Sequence, residues 1–364
     1  MKISIKNISR LLLLFVLFFL TSHPVKAQAE EKEELSIKEL IFEHLGDAYK
    51  WHFFIWNDKD FSLYLPVIVR SESGQWHMFS SSRLEKSASY EGFYISHEGQ
   101  YKHKVVEKNH TGAEIRPWDF SITKNVLAIF VSVAIILISF LSLAKWYKKG
   151  RIKPAGGFLG IVEVVMLNIQ DEVIKPCIGD GYEKYSSFLL TAFFFILVNN
   201  FMGLIPVFPF GANVTGNITI TFFLSFITFL IININGNKHY WKEIFWPEVP
   251  TWLKFPFPML PVIELWGVFM KPAALMVRLF ANVMAGHSMI LGLICLIFIS
   301  VSMGAVANAG MSFVAIIFSV FISFIEILVS LIQAYVFVLL SAVFIGMSRT
   351  KERHVEEEIH YEHH

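Results

Sequence analysis

Arg278 sits inside an apolar run, with Ala273 to Val277 before it and Leu279 to Ala281 after it. Between Leu279 and Ser348 the single Asp, Glu, Lys or Arg is Glu326. Charges at membrane depth are rare, face protein or water, and mark ion pathways or proton relays. A guanidinium does not give up its proton, so Arg278 is a fixed positive charge that would interrupt a continuous proton wire. It would also hold a carboxylate brought beside it in the charged form. The plain alternative is an arginine that snorkels from a helix end; apolar residues on both sides argue against it. Glu326 differs, because a carboxyl group can load and unload a proton, and an imidazole nearby changes charge close to neutral pH. His287 is the imidazole available to it. Such a pair passes protons; its plain alternative is a static hydrogen bond joining two helices.

The helix that carries Arg278 also carries other polar groups. Asn282, four residues on, shares its face. Lys271 and Glu264, seven and fourteen residues before, fall near that face at ~100° per residue. His287, nine on, is turned to roughly the opposite face, ~13 Å further along the axis. Two long apolar segments, Phe257–Val301 and Met311–Met347, must hold these residues, and each exceeds the ~20 residues of a perpendicular span. A turn over Ser302–Gly310, centred near Val306, would make them an antiparallel hairpin. Arg278 is 28 residues before that centre and Gln333 is 27 after it; His287 is 19 before and Glu326 is 20 after. Equal distance from the turn predicts that Arg278 faces Gln333 and that His287 approaches Glu326.

The chain has 364 residues, is 54% hydrophobic, contains 36 Phe and carries a net charge of +1. That composition is too apolar for an ordinary soluble domain, and the charge balance gives no reason to expect nucleic acid. Residues 1–27 read as a signal peptide: Lys2, Lys6 and Arg10, a ten-residue apolar stretch Leu11–Leu20 too short to span, and a Val25-Lys26-Ala27 cleavage pattern. Residues 28–120 read as a small exported α/β domain, with a short helix over Ser36–His44 and strands within Phe61–Arg70, Trp76–Ser80 and Tyr90–Ser96. Its six histidines (His44, His52, His77, His97, His103, His110) show no metal-ligand spacing. Residues 121–350 are the membrane domain, and 351–364 a cytoplasmic tail.

Within the membrane domain the first span, Lys124–Ala144, ends in Lys145, Lys148, Lys149, Arg151 and Lys153, which places that end in the cytoplasm. Phe158–Ile178 is amphipathic, and lies along or dips into the cytoplasmic interface; Glu163, Asn168, Asp171 and Glu172 are its polar residues. Ser187–Pro206 and Asn217–Ile234 are further spans, joined by an outer loop. Asn199 and Asn200, near the outer end of the former, either line a hydrated cavity or bond a neighbouring helix. Lys238, His239 and Lys242 open a cytoplasmic loop, and Arg349, Lys351 and Arg353 put the C-terminus inside. The expected fold is therefore an all-α polytopic membrane protein of about five spans, plus the exported domain.

Lys271-Pro272-x-x-Leu275-x-x-Arg278-Leu279-Phe280-x-Asn282 resembles the penultimate helix of subunit a of the rotary F-type ATP synthase membrane (Fo) sector. Glu326-Ile-Leu-Val-Ser-Leu-Ile-Gln333-Ala334-Tyr335 resembles the last helix of the same family. The resemblance covers about residues 120–350. It implies two long tilted helices wrapped against a ring of c subunits, with subunit b and the rest of the ATP synthase as further partners. It implies two half-channels separated by Arg278: an outer one near His287 and Glu326, and an inner one for which Glu264 is a candidate. Asn282 and Gln333 would line the path. The location implied is the cytoplasmic (inner) membrane, with the N-terminal domain outside. No catalytic site, cofactor or metal is expected; ATP chemistry would belong to other subunits. The chain departs from the common bacterial pattern, in which the acid is on the arginine helix and the imidazole on the last helix; here His287 and Glu326 exchange places. The alternative reading is a secondary transporter that binds an anion on Arg278. Such proteins usually show repeated halves with broken helices, and no repeat is seen here.

Overall fold

The structure, a computed structural model, describes residues 46–56, 59–86, 89–96, 99–109, 112–150, 153–204, 211–245 and 259–349. The expected signal peptide, the Ser36–His44 helix and the tail 351–364 lie outside them.

The N-terminal region is built of short antiparallel strands. β1 (Lys50–Trp56) pairs with β2 (Lys59–Tyr64). β3 (Pro66–Arg70) lies between β4 (Trp76–Ser80) and β8 (Trp118–Asp119). β6 (Val105–Lys108) lies between β5 (Phe93–Ile95) and β7 (Glu114–Ile115). α1 (Ser82–Lys86) is the one helix among the described residues of this region, so it is mainly β rather than α/β there. Period-two alternation turns Val67 and Val69 of β3 fully inward. They share a small core with Tyr49, Phe79, Phe93 and Val105. The expected strand Trp76–Ser80 is β4; Phe61–Arg70 is divided at Leu65, whose N–H donates to the Tyr49 carbonyl (3.2 Å) and the Ser81 hydroxyl (3.1 Å). The Tyr49 hydroxyl donates to Asp119 at 2.5 Å. Its burial, and then that carboxylate, push the hydroxyl pKa well above the tyrosine range.

This region is fastened to the first long helix, α2 (Lys124–Lys148). The orphan N–H groups at a helix start need acceptors. Thr123 makes no side-chain cap, and residues upstream of β1 supply the acceptors: Asp47 Oδ1 accepts from Asn125 N (3.1 Å) and the Ala48 carbonyl from Lys124 N (2.9 Å). At the other end Lys145 and Lys148 complement the helix dipole. The amphipathic segment is helical throughout: α3 (Phe158–Asn168), a π-helical stretch Ile169–Ile174 and α4 (Lys175–Ile178). It buries Val162, Ile169, Val173 and Ile178 and exposes Asn168, Asp171 and Glu172. Glu163 is instead a tie at the α2–α3 junction, accepting from Ala155 N (3.1 Å) and from the Tyr147 hydroxyl.

α5 (Glu183–Leu204) is the next long helix. α6 (Ile218–Ile234) is capped by Asn217, whose side chain accepts from Thr219 N at 3.0 Å, and bends by 101° into α7 (Lys238–Phe245). At that bend Asn237 donates to the carbonyls of Ser348 (2.9 Å, backbone) and Arg349 (2.8 Å, side chain). It thereby caps the end of α9 (Ala305–Arg349), 45 residues, which follows α8 (Met259–Ser300), 42 residues. Among the described residues, four helices are long and apolar enough to cross a membrane, or five with the bent α6–α7 pair as one span, in line with the expected number. At 1.5 Å per residue α8 is ~63 Å long, about twice the hydrocarbon thickness, so it cannot stand upright within a bilayer. α8 and α9 pack through Leu275, Leu279, Phe337 and Val338 onto a core shared with Ile174, Leu189 and Ile196.

The hairpin turn is tighter than the expected Ser302–Gly310. A 3-10 turn, Val301–Met303, ends at Gly304, whose φ of 99° is the left-handed region glycine tolerates, and α9 begins at once. The small-residue run Ala305–Gly310 reads as a loop in sequence but is helix, its first turn joined to α8 by a Ser300–Asn308 hydrogen bond of 2.7 Å.

Candidate functional site

α9 presents Glu326, Ser330 and Gln333 at i, i+4 and i+7, so all three fall on one face, and all three are buried. α8 sets His287 and Asn282 opposite them. His287 Nδ1 lies 3.3 Å from Glu326 Oε1, and Asn282 Nδ2 donates to Gln333 Oε1 at 3.4 Å. The expected approach of His287 to Glu326 is thus present. Gln333, expected to face Arg278, is hydrogen-bonded to Asn282, one turn along α8 from that arginine. Asn282 is displaced ~40° around α8 from Arg278, enough to bring it into the helix interface. The two contact pairs are centred about two and a half and three and a half residues beyond Gly304, so the path along α9 from the turn is longer than the path along α8.

Asn200 of α5 closes the third side. With Leu204, Asn282, Val283, His287, Glu326, Val329, Ser330 and Gln333 it lines a small cavity. The cavity leaves about 10 Å³ for water centres, on the order of what one water needs. Asn200 Nδ2 donates to the Ser330 carbonyl (3.2 Å), and its Oδ1 accepts from Thr215 Oγ1 (2.7 Å). Glu326 Oε2 is buried with no hydrogen-bond partner among the described residues. An unpaired buried carboxylate oxygen is costly, and its cavity is polar, so it is a place where a proton or a water would be taken up.

One glycine makes room for the pair. A Cβ on Gly286 would lie 2.7 Å from Glu326 Oε1 and 2.9 Å from its carboxyl carbon. Gly286 therefore admits the carboxylate against the α8 backbone; at Gly203 of α5 a Cβ would meet His287 Nε2 at 3.4 Å, an ordinary contact.

Arg278 and Glu264 stand apart from this cavity, and both are exposed. Leu275 and Leu279 are buried on either side of Arg278, while Ala274, Ala281 and Ala285 are exposed with it. The guanidinium thus emerges on the outer face of α8 along a stripe of small residues. Glu264 lies fourteen residues, ~21 Å, back along the same helix. Lys271, also expected near that face, is half-buried with its Nζ 5.6 Å from the Phe344 ring.

Comparison with known proteins adds an independent line. Residues 126–346 match the ATP synthase A chain family, and residues 40–120 match a domain of unknown function. The chain is 41% identical over 254 residues to ATP synthase subunit a of Chlorobium phaeobacteroides, covering 68% of this chain and 70% of that protein. Against ATP synthase subunit a of Chloroherpeton thalassium the identity is 39% over 251 residues (67% and 71% covered), and against that of Myxococcus xanthus 36% over 250 residues (66% and 77%). The chain belongs to the ATP synthase subunit a family. The family match takes in both long helices and every residue of the cavity.

Some lining residues of this family member escaped the sequence reading. Asn199 and Asn200 had two open roles, and each takes one. Asn199 bonds Ser132 of α2 at 3.2 Å as helix-to-helix glue, while Asn200 lines the cavity. Ser330 was legible in principle, standing four after Glu326 and three before Gln333 on one face. Gly203, Gly286 and Thr215 carry no chemistry in sequence, and only contact across helices reveals them.

Proposed function

We propose that this chain is the proton-conducting stator subunit of an F-type ATP synthase, a component without a catalytic site of its own. A carboxylate on each subunit of a rotating c-ring would pass along the outer face of α8. It would release its proton into an inner half-channel reached past Glu264, and travel by Arg278 in the charged form. It would reload from an outer half-channel made of Asn200, Asn282, His287, Glu326 and Gln333. Subunit b and the remaining complex hold the chain against the rotor. The outer domain, residues 28–120 after removal of 1–27, lies on the far side of the inner membrane from the C-terminus.

One observation carries this reading. Arg278 is exposed on a face of small residues, while Glu326 is buried with the half-buried His287 beside it, in a cavity that Arg278 does not line. A fixed cation that served only its own subunit would be turned inward to a partner. Small residues let another helix approach closely, so the face suits a rotor helix bearing a carboxylate. An anion transporter would need the arginine to line an enclosed binding site, and Arg278 does not line the cavity.

The test is ATP synthesis by inverted vesicles under an imposed proton gradient, normalised to assembled complex. Arg278→Ala should abolish synthesis and leave assembly intact. Arg278→Lys should also fail, because an ammonium is deprotonable in low dielectric and lacks the planar fork. Near-normal synthesis with lysine would refute the role given to Arg278.

A further inference from the structure

The loop between α5 and α6 contains four consecutive buried residues, Ala212, Asn213, Val214 and Thr215. Connecting loops normally run over the surface, because their backbone polar groups need water. This one is covered on two sides. On the cavity side the Thr215 hydroxyl donates to Asn200 Oδ1 at 2.7 Å, and Asn213 Nδ2 lies 3.6 Å from Met284 Sδ of α8. On the other side Ala212 and Val214 share one apolar cluster with Met202 of α5, Ala128 of α2 and Trp51 of β1. Trp51 is 3% exposed, and it comes from the N-terminal region, outside the part of the chain that matches the subunit a family.

We infer that Trp51 is a positioning residue for the cavity: it holds the 211–216 loop so that Thr215 fixes the side chain of Asn200. Resting on the function proposed above, this gives the N-terminal domain a task in proton loading. An Asn side chain has two ends that can exchange places by rotation. The Ser330 carbonyl of α9 can only accept, so it takes the amide nitrogen, and the oxygen end is left to the Thr215 hydroxyl, whose donated bond holds the amide at a second point. Ser330 stands one helical turn from Glu326, so the amide plane that walls the cavity is set from the N-terminal side. The loop has its own braces: Gly211 N donates to Met202 O (2.7 Å), Gly216 N to Asn213 Oδ1 (2.9 Å) and Asn217 N to Val214 O (3.1 Å). None of these engages the Ala212 and Val214 side chains, which belong to the buried apolar cluster that Trp51 joins from the N-terminal region. The domain can bear on the loop because Asp47 and Ala48 tie it to the start of α2 by two hydrogen bonds.

The experiment uses the complete ATP synthase reconstituted in vesicles. It reads amide hydrogen exchange across residues 211–217 and proton conductance per assembled complex. Trp51→Ala should raise loop exchange by about tenfold, as expected when a large buried ring is removed, and should lower conductance. Trp51→Phe should restore most of both. Thr215→Val, nearly the same size without the hydroxyl, should lower conductance by about fivefold, the scale of one lost hydrogen bond, with loop exchange unchanged; Thr215→Ser should restore it. Trp51→Ala combined with Thr215→Val should be little worse than the worse single change. Unaltered loop exchange in Trp51→Ala, or normal conductance in Thr215→Val, overturns the inference. Should Trp51→Ala prevent assembly, Thr215→Val and Trp51→Phe still decide it. Failure of the wider reading is seen separately, as synthesis retained by Arg278→Lys.

Discussion

His287 and Glu326 are 3.3 Å apart and share a cavity that no other carboxylate lines. If they load protons as one unit, each needs the other. His287→Ala and Glu326→Gln should each slow proton uptake by at least about tenfold, since positioned acid–base groups contribute on the order of a hundredfold or more. The double variant should be little slower than the worse single one. Exchanging the residues, His287→Glu with Glu326→His, should recover part of the rate because the pair is kept. The measurement is passive proton conductance per assembled complex; additive losses with no recovery would rule the paired relay out. Gly286 gives a sharper probe of geometry. Its Ala variant puts a methyl group 2.7 Å from Glu326 Oε1 and 2.9 Å from its carboxyl carbon, so the carboxylate must shift. Conductance should fall as in Glu326→Gln although no titratable group has been removed, and a normal rate would show that the carboxylate works from another position.

At the scale of elements, the hairpin of α8 and α9 is held at depth by two polar pairs and at its far end by close backbone packing. A Cβ on Gly346 of α9 would come 2.0 Å from the Cys177 carbonyl oxygen of α4. Backbone cannot swing aside as a long side chain can. Gly346→Ala should therefore destabilise the subunit by about 1–3 kcal/mol, the usual cost of overpacking, read as a lower thermal midpoint of the purified complex. Conductance per surviving complex should stay near normal, because the cavity is on another part of α9. Asn199→Ala should cost less, on the order of 0.6 kcal/mol, the average for a hydrogen bond between membrane helices. A larger loss for Asn199 than for Gly346 would show that polar glue, rather than close packing, holds these helices.

At the scale of the whole molecule, the N-terminal domain and the ends of the long helices are expected on opposite sides of the membrane. Single cysteines at Lys102 and at Lys149, in a background with Cys177 and Cys295 replaced by serine, should label from opposite faces with an impermeant thiol reagent. Labelling of both from one face would overturn the orientation. Intact mass should show a mature chain beginning at Gln28; a chain beginning at Met1 would exclude cleavage after Ala27.

Much of this was legible in the order of residues alone. A charge inside an apolar run cannot be accidental when its burial is so costly, so Arg278 and Glu326 announced themselves, and helical periodicity put Asn282 near the Arg278 face and His287 away from it. Span number followed from hydropathy and length, since a bilayer imposes both. Strand β4 was read whole because its flanking turns are marked; the division at Leu65 was not, because a backbone hydrogen bond to Tyr49 sets it. Tertiary structure alone decided which neighbours the polar residues have. Equal spacing from the turn predicted His287 beside Glu326, but Gln333 met Asn282 rather than Arg278, because ~40° of helix rotation separates those two α8 residues. The outward direction of Arg278, the split roles of Asn199 and Asn200, and the room made by Gly286 also depend on which helix packs where. Periodicity specifies a face and hydropathy a depth; neither specifies the partner, because contact between distant segments is set by packing of the whole chain.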